Sequence, residues 1–280
     1  MTTLIISVAG LVTVASAIRS TWSPCGLSML ASITPLAETG RGNRFRTTAA
    51  WFVVGSTVGG LTLGLFVAIL AVGAHGLALS STAVGVAALV TAVLAVASDI
   101  GVKGLRLPVH HRQVNERWLD QFRPWVYAAG FGWQIGTGLA TYITTAAVYL
   151  MVVFGALGGS PVWAVALGVG FGFVRGLSVL LGRNITTPDA LRSFHRRFTD
   201  AGPQVSRVTV GTELVAALAV GWYLSPMVGI GATGAVAVAG AVAGIILMRR
   251  RAMATSDDSG APPRGAEPAK SGNLESVTVR

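Results

Sequence analysis

The chain has 280 residues, of which 52% are hydrophobic and only 11% are charged. A soluble domain carries roughly 25% charged residues, so this composition excludes a globular protein with a water-facing surface of ordinary polarity. A single cysteine excludes an intrachain disulfide. The net charge of +10 would suit a protein that binds nucleic acid. The positions of the basic residues explain this charge without a nucleic-acid partner, as described below.

The first apolar stretch, residues 4–36, is longer than one straight span of about 20 residues requires. It is interrupted at Trp22 and Pro24, and proline removes a backbone donor and clashes with the preceding turn. We therefore predict one tilted, broken helix, with a tight re-entrant pair as the alternative. Residues 1–3 have no basic side chain, which a signal peptide requires, so this stretch is expected to be a span.

Further apolar stretches predict six more spans. They cover residues 51–73, 77–98, 125–157 and 162–182, and two spans lie within 208–248, separated by a turn at Ser225-Pro226. The fourth span is long and rich in glycine. The sequence thus predicts an all-α, polytopic membrane protein of about seven helices over residues 1–248. Residues 249–280, rich in Ser, Pro, Gly and charge, predict a disordered cytoplasmic tail.

Basic residues follow the first, third, fifth and last predicted spans, whereas the connections around His75, Ser160 and Ser225 contain no Lys or Arg. Because basic loops stay in the cytoplasm, this pattern predicts an outside N-terminus and a cytoplasmic C-terminus in a bacterial-type plasma membrane. The basic residues are Arg41, Arg44 and Arg46; Lys103, Arg106, Arg112, Arg117 and Arg123; Arg183, Arg192, Arg196, Arg197 and Arg207; and Arg249, Arg250 and Arg251.

Glycines recur at a spacing of four residues within the predicted spans. In membrane helices this spacing lets backbones approach closely, so we interpret the pairs as helix-packing positions. They are Gly55/Gly59, Gly60/Gly64, Gly132/Gly136, Gly168/Gly172 and Gly172/Gly176.

The most informative motif lies in residues 20–36, where Ser23-Pro24-Cys25 interrupts an apolar helix and Thr34-Pro35 follows. Such breaks open backbone carbonyls and would expose the thiol within the membrane. This segment resembles the first helix of the CcdA/DsbD-type thiol–disulfide transmembrane family, which is linked to cytochrome c biogenesis. The resemblance implies two inverted three-helix repeats, each opening with a proline-flanked cysteine, that carry electrons from cytosolic thioredoxin across the membrane.

The second repeat would then begin near Tyr127, and placing Trp22 opposite Trp133 sets Cys25 against Gly136. A dithiol relay needs an attacking and a resolving thiol, so a redox role for Cys25 requires a partner thiol. The resemblance implies a thioredoxin-like or haem-assembly partner as its source. The alternative is that Cys25 is a small buried hydrophobic residue. The seventh helix is a further departure from the family.

Charged residues inside spans are costly and usually functional, with snorkelling to the interface as the alternative. The candidates are Arg19, Arg175 and Glu213, whereas Asp99, at the end of the third span, is expected at the interface. Arg175 and Glu213 lie at similar depths on consecutive spans, which predicts a buried ion pair. The predicted substrate pathway comprises Arg19, Trp22, Pro24, Pro35, Gln134, Thr137, Arg175 and Glu213, with Cys25 as the one candidate for catalysis.

Two other motifs do not predict a cofactor or metal. The GxGxxG at residues 229–234 lies in an apolar span without a preceding strand, which the dinucleotide-binding motif needs. The adjacent His110 and His111 do not share a helix face, and no cysteine or acidic cluster accompanies them.

The leading hypothesis is a small-solute transporter in which the broken first and fourth helices line a pathway, as discontinuous helices do in inverted-repeat transporters. The alternatives are a transmembrane thiol or electron carrier that uses Cys25, and a non-catalytic membrane scaffold or assembly factor. The sequence does not favour an enzyme. We expect the protein to lie in a lipid bilayer, and the sequence leaves its oligomeric state open.

Overall fold

The computed structural model describes residues 2–101, 121–138, 143–225, 227, 228, 231 and 234. The described residues are mostly helical and include no strand, which confirms the all-α class. The helices are α1 (Thr2–Ser20), α2 (Pro24–Ser32), α3 (Pro35–Gly40), α4 (Phe45–Gly76), α5 (Ser81–Ile100), α6 (Pro124–Gly136), α7 (Ala147–Leu157), α8 (Pro161–Leu177) and α9 (Pro188–Leu224). A 3-10 turn, Ser178–Gly182, continues α8.

Five of these helical stretches are long and apolar enough to cross a membrane: α1, α4, α5, α8 with its 3-10 turn, and α9. Helix α7 is apolar but shorter. Most of the predicted seventh span and of the GxGxxG motif, the loop that contains His110 and His111, and the tail at 249–280 lie outside the described residues. The count of seven spans therefore stays a prediction.

The first apolar stretch is divided into three helices, whereas the sequence predicted one tilted, broken helix. Ser23 and Thr34 have extended backbones, and their hydroxyls accept hydrogen bonds from the backbone N–H groups of Gly26 and Ala37 at 3.2 and 3.1 Å. Pro24 and Pro35 occupy the first positions of α2 and α3. A hydroxyl cap followed by proline is a favoured helix start, so each Ser/Thr-Pro pair begins a new helix.

The fourth apolar stretch is also broken. Helix α6 ends at Gly136, and Gly138 has a φ of +64°, a conformation that favours glycine. Helix α7 begins at Ala147, and residues 139–142 lie outside the described residues. Two short helices thus replace the long span predicted from residues 125–157.

Helix α4 meets α6 and α8 through backbone atoms. A Cβ at Gly60 would lie 2.3 Å from the Gly168 carbonyl oxygen, and one at Gly172 would lie 2.2 Å from that of Ser56. The Ser56 hydroxyl donates a hydrogen bond to the Gly172 carbonyl at 2.7 Å. The interpretation of the spaced glycines as packing positions is therefore confirmed. A Cβ would meet neighbouring backbone at similarly short distances at Gly55, Gly59, Gly64, Gly132, Gly136 and Gly168.

Helix α1 lies centrally among the apolar helices. It packs against α7, α8 and α9, and its buried face includes Ile5, Ala9 and Val12. Helix α5 packs against both α9 and α7. This arrangement places the C-terminal end of α1 close to side chains from several helices. The charged residues described next, around Arg175 and around Glu213, lie near this end.

Candidate functional site

Arg175 of α8 lies at the break between α1 and α2. It is 1% exposed and is the largest fully buried side chain among the described residues. Its Nη2 donates to the carbonyl of Ser20, the last residue of α1, at 3.5 Å, and its guanidinium lies 5.7 Å from the centre of the Phe171 ring. Helix C-termini leave carbonyls without partners and attract cations. Arg175 thus compensates the interrupted end of α1.

Cys25 lies in the first turn of α2 and is 2% exposed. The Arg175 guanidinium interacts electrostatically with its thiol. The structure therefore brings together two residues that the sequence singled out separately. The rest of the thiol's surroundings belongs to an apolar cluster that includes Met29 and Phe198.

Asp99 of α5 forms a cap for α7 from outside that helix. One of its carboxyl oxygens accepts the backbone N–H of Ala146 at 2.8 Å, and the other accepts the Thr145 hydroxyl. Ala146 directly precedes α7, whose first N–H groups have no partner within the helix. The macrodipole favours negative charge at this position. Asp99 is half-buried, and these bonds give it a structural role that its expected interfacial position did not suggest.

Glu213 of α9 and Arg19 of α1 complete a charged cluster with Asp99. Glu213 is 0% exposed, and apart from the Asp99 carboxyl no group among the described residues bonds either of its carboxyl oxygens. The Asp99 carboxyl lies beside it, and Arg19, half-buried in the last turn of α1, interacts electrostatically with Asp99. Three helices thus contribute one cation and two acids to this cluster.

The predicted ion pair between Arg175 and Glu213 is wrong. Neither Glu213 oxygen accepts a hydrogen bond from Arg175, and Asp99 is the charged group beside Glu213. Within the described parts of the chain, the ion pairs are Arg41–Glu38 and Arg192–Asp189. The physical reason is helix order: α1 packs against both α8 and α9, so comparable depth on consecutive helices does not bring the two side chains into contact.

A buried network around Glu38 was not predicted. Glu38 is 0% exposed and accepts hydrogen bonds from the Thr48 hydroxyl at 2.7 Å, the Tyr127 hydroxyl at 2.8 Å and Arg41 Nη1 at 3.0 Å. These bonds join α3 to α4 and α6. The one sequence signal is that Glu38 is the first acidic residue of the chain and follows directly on the Thr34-Pro35 break.

The remaining predicted pathway residues lie in other parts of the structure. The Trp22 ring stacks on Phe198 with centroids 4.2 Å apart, and its Nε1 donates to the Phe198 carbonyl at 2.6 Å. Gln134 of α6 is half-buried, and its backbone carbonyl accepts a hydrogen bond from the Thr137 hydroxyl at 2.7 Å. Pro24 and Pro35 act as helix starts. Among the described side chains, no group of three or more His, Cys, Asp or Glu is placed to hold a metal ion.

The sequence is similar to two curated proteins. "Methylamine utilization protein MauF" of Paracoccus versutus is 34% identical over 178 residues, which cover 61% of this chain and 63% of that protein. The protein of the same name from Paracoccus denitrificans is 30% identical over 179 residues, or 62% of each chain. The chain thus spans less than two thirds of the length of these relatives. No family model and no solved structure matches.

Proposed function

We propose that this chain is a membrane-embedded accessory protein of methylamine utilization. The observation that carries the proposal is its 34% identity with MauF over 178 residues. The five apolar helices support a location in a lipid bilayer. The positions of the basic residues favour a bacterial-type plasma membrane with the C-terminus inside.

Within this role, we propose that the protein provides a route for a small solute. Both helix breaks, between α1 and α2 and between α6 and α7, are of the kind that forms substrate sites in transporters. Each break has a charged group at its end, the buried Arg175 in one and the half-buried Asp99 in the other. Charged groups within membrane spans are costly and often mark the pathway of a substrate or ion, and these two groups support the proposed solute route.

A thiol role is the second candidate, and it rests on the position of Cys25 at the first break beside Arg175. As the resemblance to the CcdA/DsbD-type family implies, a thioredoxin-like or haem-assembly partner would supply the second thiol. Trapping a mixed disulfide between Cys25 and such a partner in the native membrane would replace the solute route with this function.

Deletion of the gene in its native host tests the proposed function. We expect loss of growth on methylamine and unchanged growth on succinate, with growth on methylamine restored by the wild-type gene. Unchanged growth of the deletion strain on methylamine would refute the proposal. Uptake of labelled methylamine by the deletion strain distinguishes a solute route from an assembly role. A solute route predicts reduced uptake, whereas an assembly role predicts normal uptake with reduced methylamine oxidation.

A further inference from the structure

The Glu213 carboxyl group is enclosed, lies beside a second acid and has no hydrogen-bond donor among the described residues. A buried carboxylate is stable only when it is paired and hydrogen-bonded. A second carboxylate beside an enclosed one disfavours its ionisation, because the two charges repel and the enclosed group is not solvated. The half-buried Asp99 has Arg19 as its counter-charge, so Glu213 is the carboxyl group that a proton would neutralise.

The hydrogen bonds around Asp99 identify which of the two carboxyl groups is the anion. Both of its oxygens accept hydrogen bonds, one from the Thr145 hydroxyl and one from the N–H that opens α7. The positive end of the α7 dipole and the nearby Arg19 also favour a negative charge on Asp99. Glu213 has none of these partners, so a proton on Glu213 gives it a hydrogen bond to donate.

We propose that Asp99 and Glu213 form a proton-binding site, in which one proton taken from water is held between the two carboxyl groups. The proton resides on Glu213, which donates it in a hydrogen bond to Asp99, and the two groups titrate as a coupled pair. The helices packed on this part of α9 bring two charged groups to it, Asp99 from α5 and Arg19 from α1. On α9 itself, Arg207 and Tyr223 are about two and three turns away. This proposal goes beyond the function proposed above and does not depend on it.

The test is the infrared spectrum of the full-length protein in lipid vesicles at neutral pH, where ordinary carboxyl groups are ionised. We expect a C=O stretch band from a protonated carboxyl that disappears in Glu213→Gln. Glu38→Gln is the matched control, because Glu38 is equally buried but is an ion-paired carboxylate with three donors. This control should keep the band.

A second experiment tests the proposal even if Glu213→Gln fails to fold. The wild-type protein is labelled with a hydrophobic carbodiimide, which reacts with protonated carboxyl groups. Mass spectrometry should then find the label on Glu213 and not on Glu38. Absence of the infrared band, or its persistence in Glu213→Gln, would overturn the proposal. If Glu213→Gln does not fold and Glu213 of the wild-type protein is not labelled, the proposal is overturned as well.

Discussion

At the level of single residues, Glu38 and Glu213 show how differently two fully buried glutamates can be accommodated. Glu38 is surrounded by donors from Thr48, Tyr127 and Arg41, whereas Glu213 lies beside another acid. Removing one partner from a bonded, buried charge leaves the other groups without compensation. The two residues are therefore expected to differ in how substitution affects stability.

Glu38→Gln should destabilise the protein, because glutamine loses the charge that pairs with Arg41 and presents an NH₂ group to other donors. Hydrogen bonds to charged groups contribute about 1.5–3 kcal/mol, and we expect a loss of unfolding free energy in that range. Thermal unfolding of the protein in detergent measures it.

Asp189→Asn provides the control, because it removes an ion pair of the same sequence spacing whose side chains are both largely exposed. Exposed pairs contribute about 0–1 kcal/mol, so its unfolding temperature should change little. An equal effect of the two substitutions would show that burial of Glu38 does not strengthen its network.

Cys25 should resist thiol reagents in the folded protein, because its side chain is 2% exposed within an apolar cluster. A membrane-permeant maleimide is expected to label it only after denaturation, which also serves as the control for complete reaction. Cys25→Ala should preserve folding and activity. Rapid labelling of the native protein would favour the thiol role over the solute route.

Individual residues were predictable where they contrasted with their surroundings. Arg19, Arg175 and Glu213 stand out as charges in apolar runs, and the structure confirms that Arg175 and Glu213 are buried. Glu38 and Tyr127 carry no such signal, because an acid in a short polar segment is usually exposed. Their contact joins positions far apart in the sequence, and only the fold reveals it.

At the level of helices, the contact between α4 and α8 depends on positions that have no side chain. A Cβ at Gly172 would lie 2.7 Å from the Gly60 Cα as well as 2.2 Å from the Ser56 carbonyl. Both neighbours are backbone atoms, which cannot move aside by changing rotamer. The whole helix would have to shift to admit a methyl group.

Gly172→Ala should therefore destabilise the protein by about 1–3 kcal/mol, the usual cost of overpacking. Thermal unfolding or protein yield in the membrane measures the effect. Gly170→Ala is the matched control on the same helix, because a Cβ at Gly170 would have nothing within 4 Å. If both variants unfold at the same temperature, backbone contact between α4 and α8 does not determine stability.

Helix breaks were predictable from local chemistry, but their detail was not. Pro24 and Pro35 mark the two interruptions of the first stretch because proline cannot continue a hydrogen-bonded helix. The fourth stretch gave a weaker signal, its many glycines, and the structure separates α6 from α7 there. Its cap comes from Asp99 on another helix, which no pattern within the stretch itself could indicate.

For the whole molecule, the distribution of basic residues makes a testable prediction about orientation. Reporter fusions after Gly73, Leu157 and Pro226 should read as external, and those after Arg46, Arg117, Arg197 and Arg251 as internal, because basic loops stay in the cytoplasm. Pro226, Arg117 and Arg251 lie outside the described residues. A cytoplasmic reading at Leu157 would refute the seven-span arrangement.

Helix order around the bundle was the part of the fold that the sequence could not provide. Depth along a span follows from residue counts, but lateral neighbours depend on which faces pack together. Because α1 packs against both α8 and α9, Glu213 meets Asp99 rather than Arg175. Such an arrangement depends on contacts between residues far apart in the sequence.

The glycine contacts of α4 also affect how much side-chain freedom the bundle loses when its helices pack. A side chain that becomes buried loses rotamer freedom, at a cost of up to about 2 kcal/mol for long side chains, whereas glycine has none to lose. Where α4 meets α6 and α8, ordering therefore restricts no side-chain torsions at the glycine positions. Attraction there comes from van der Waals contact and hydrogen bonds such as that from Ser56 to Gly172. These three helices are therefore held together without the ordering of side chains that an interface built from long residues requires.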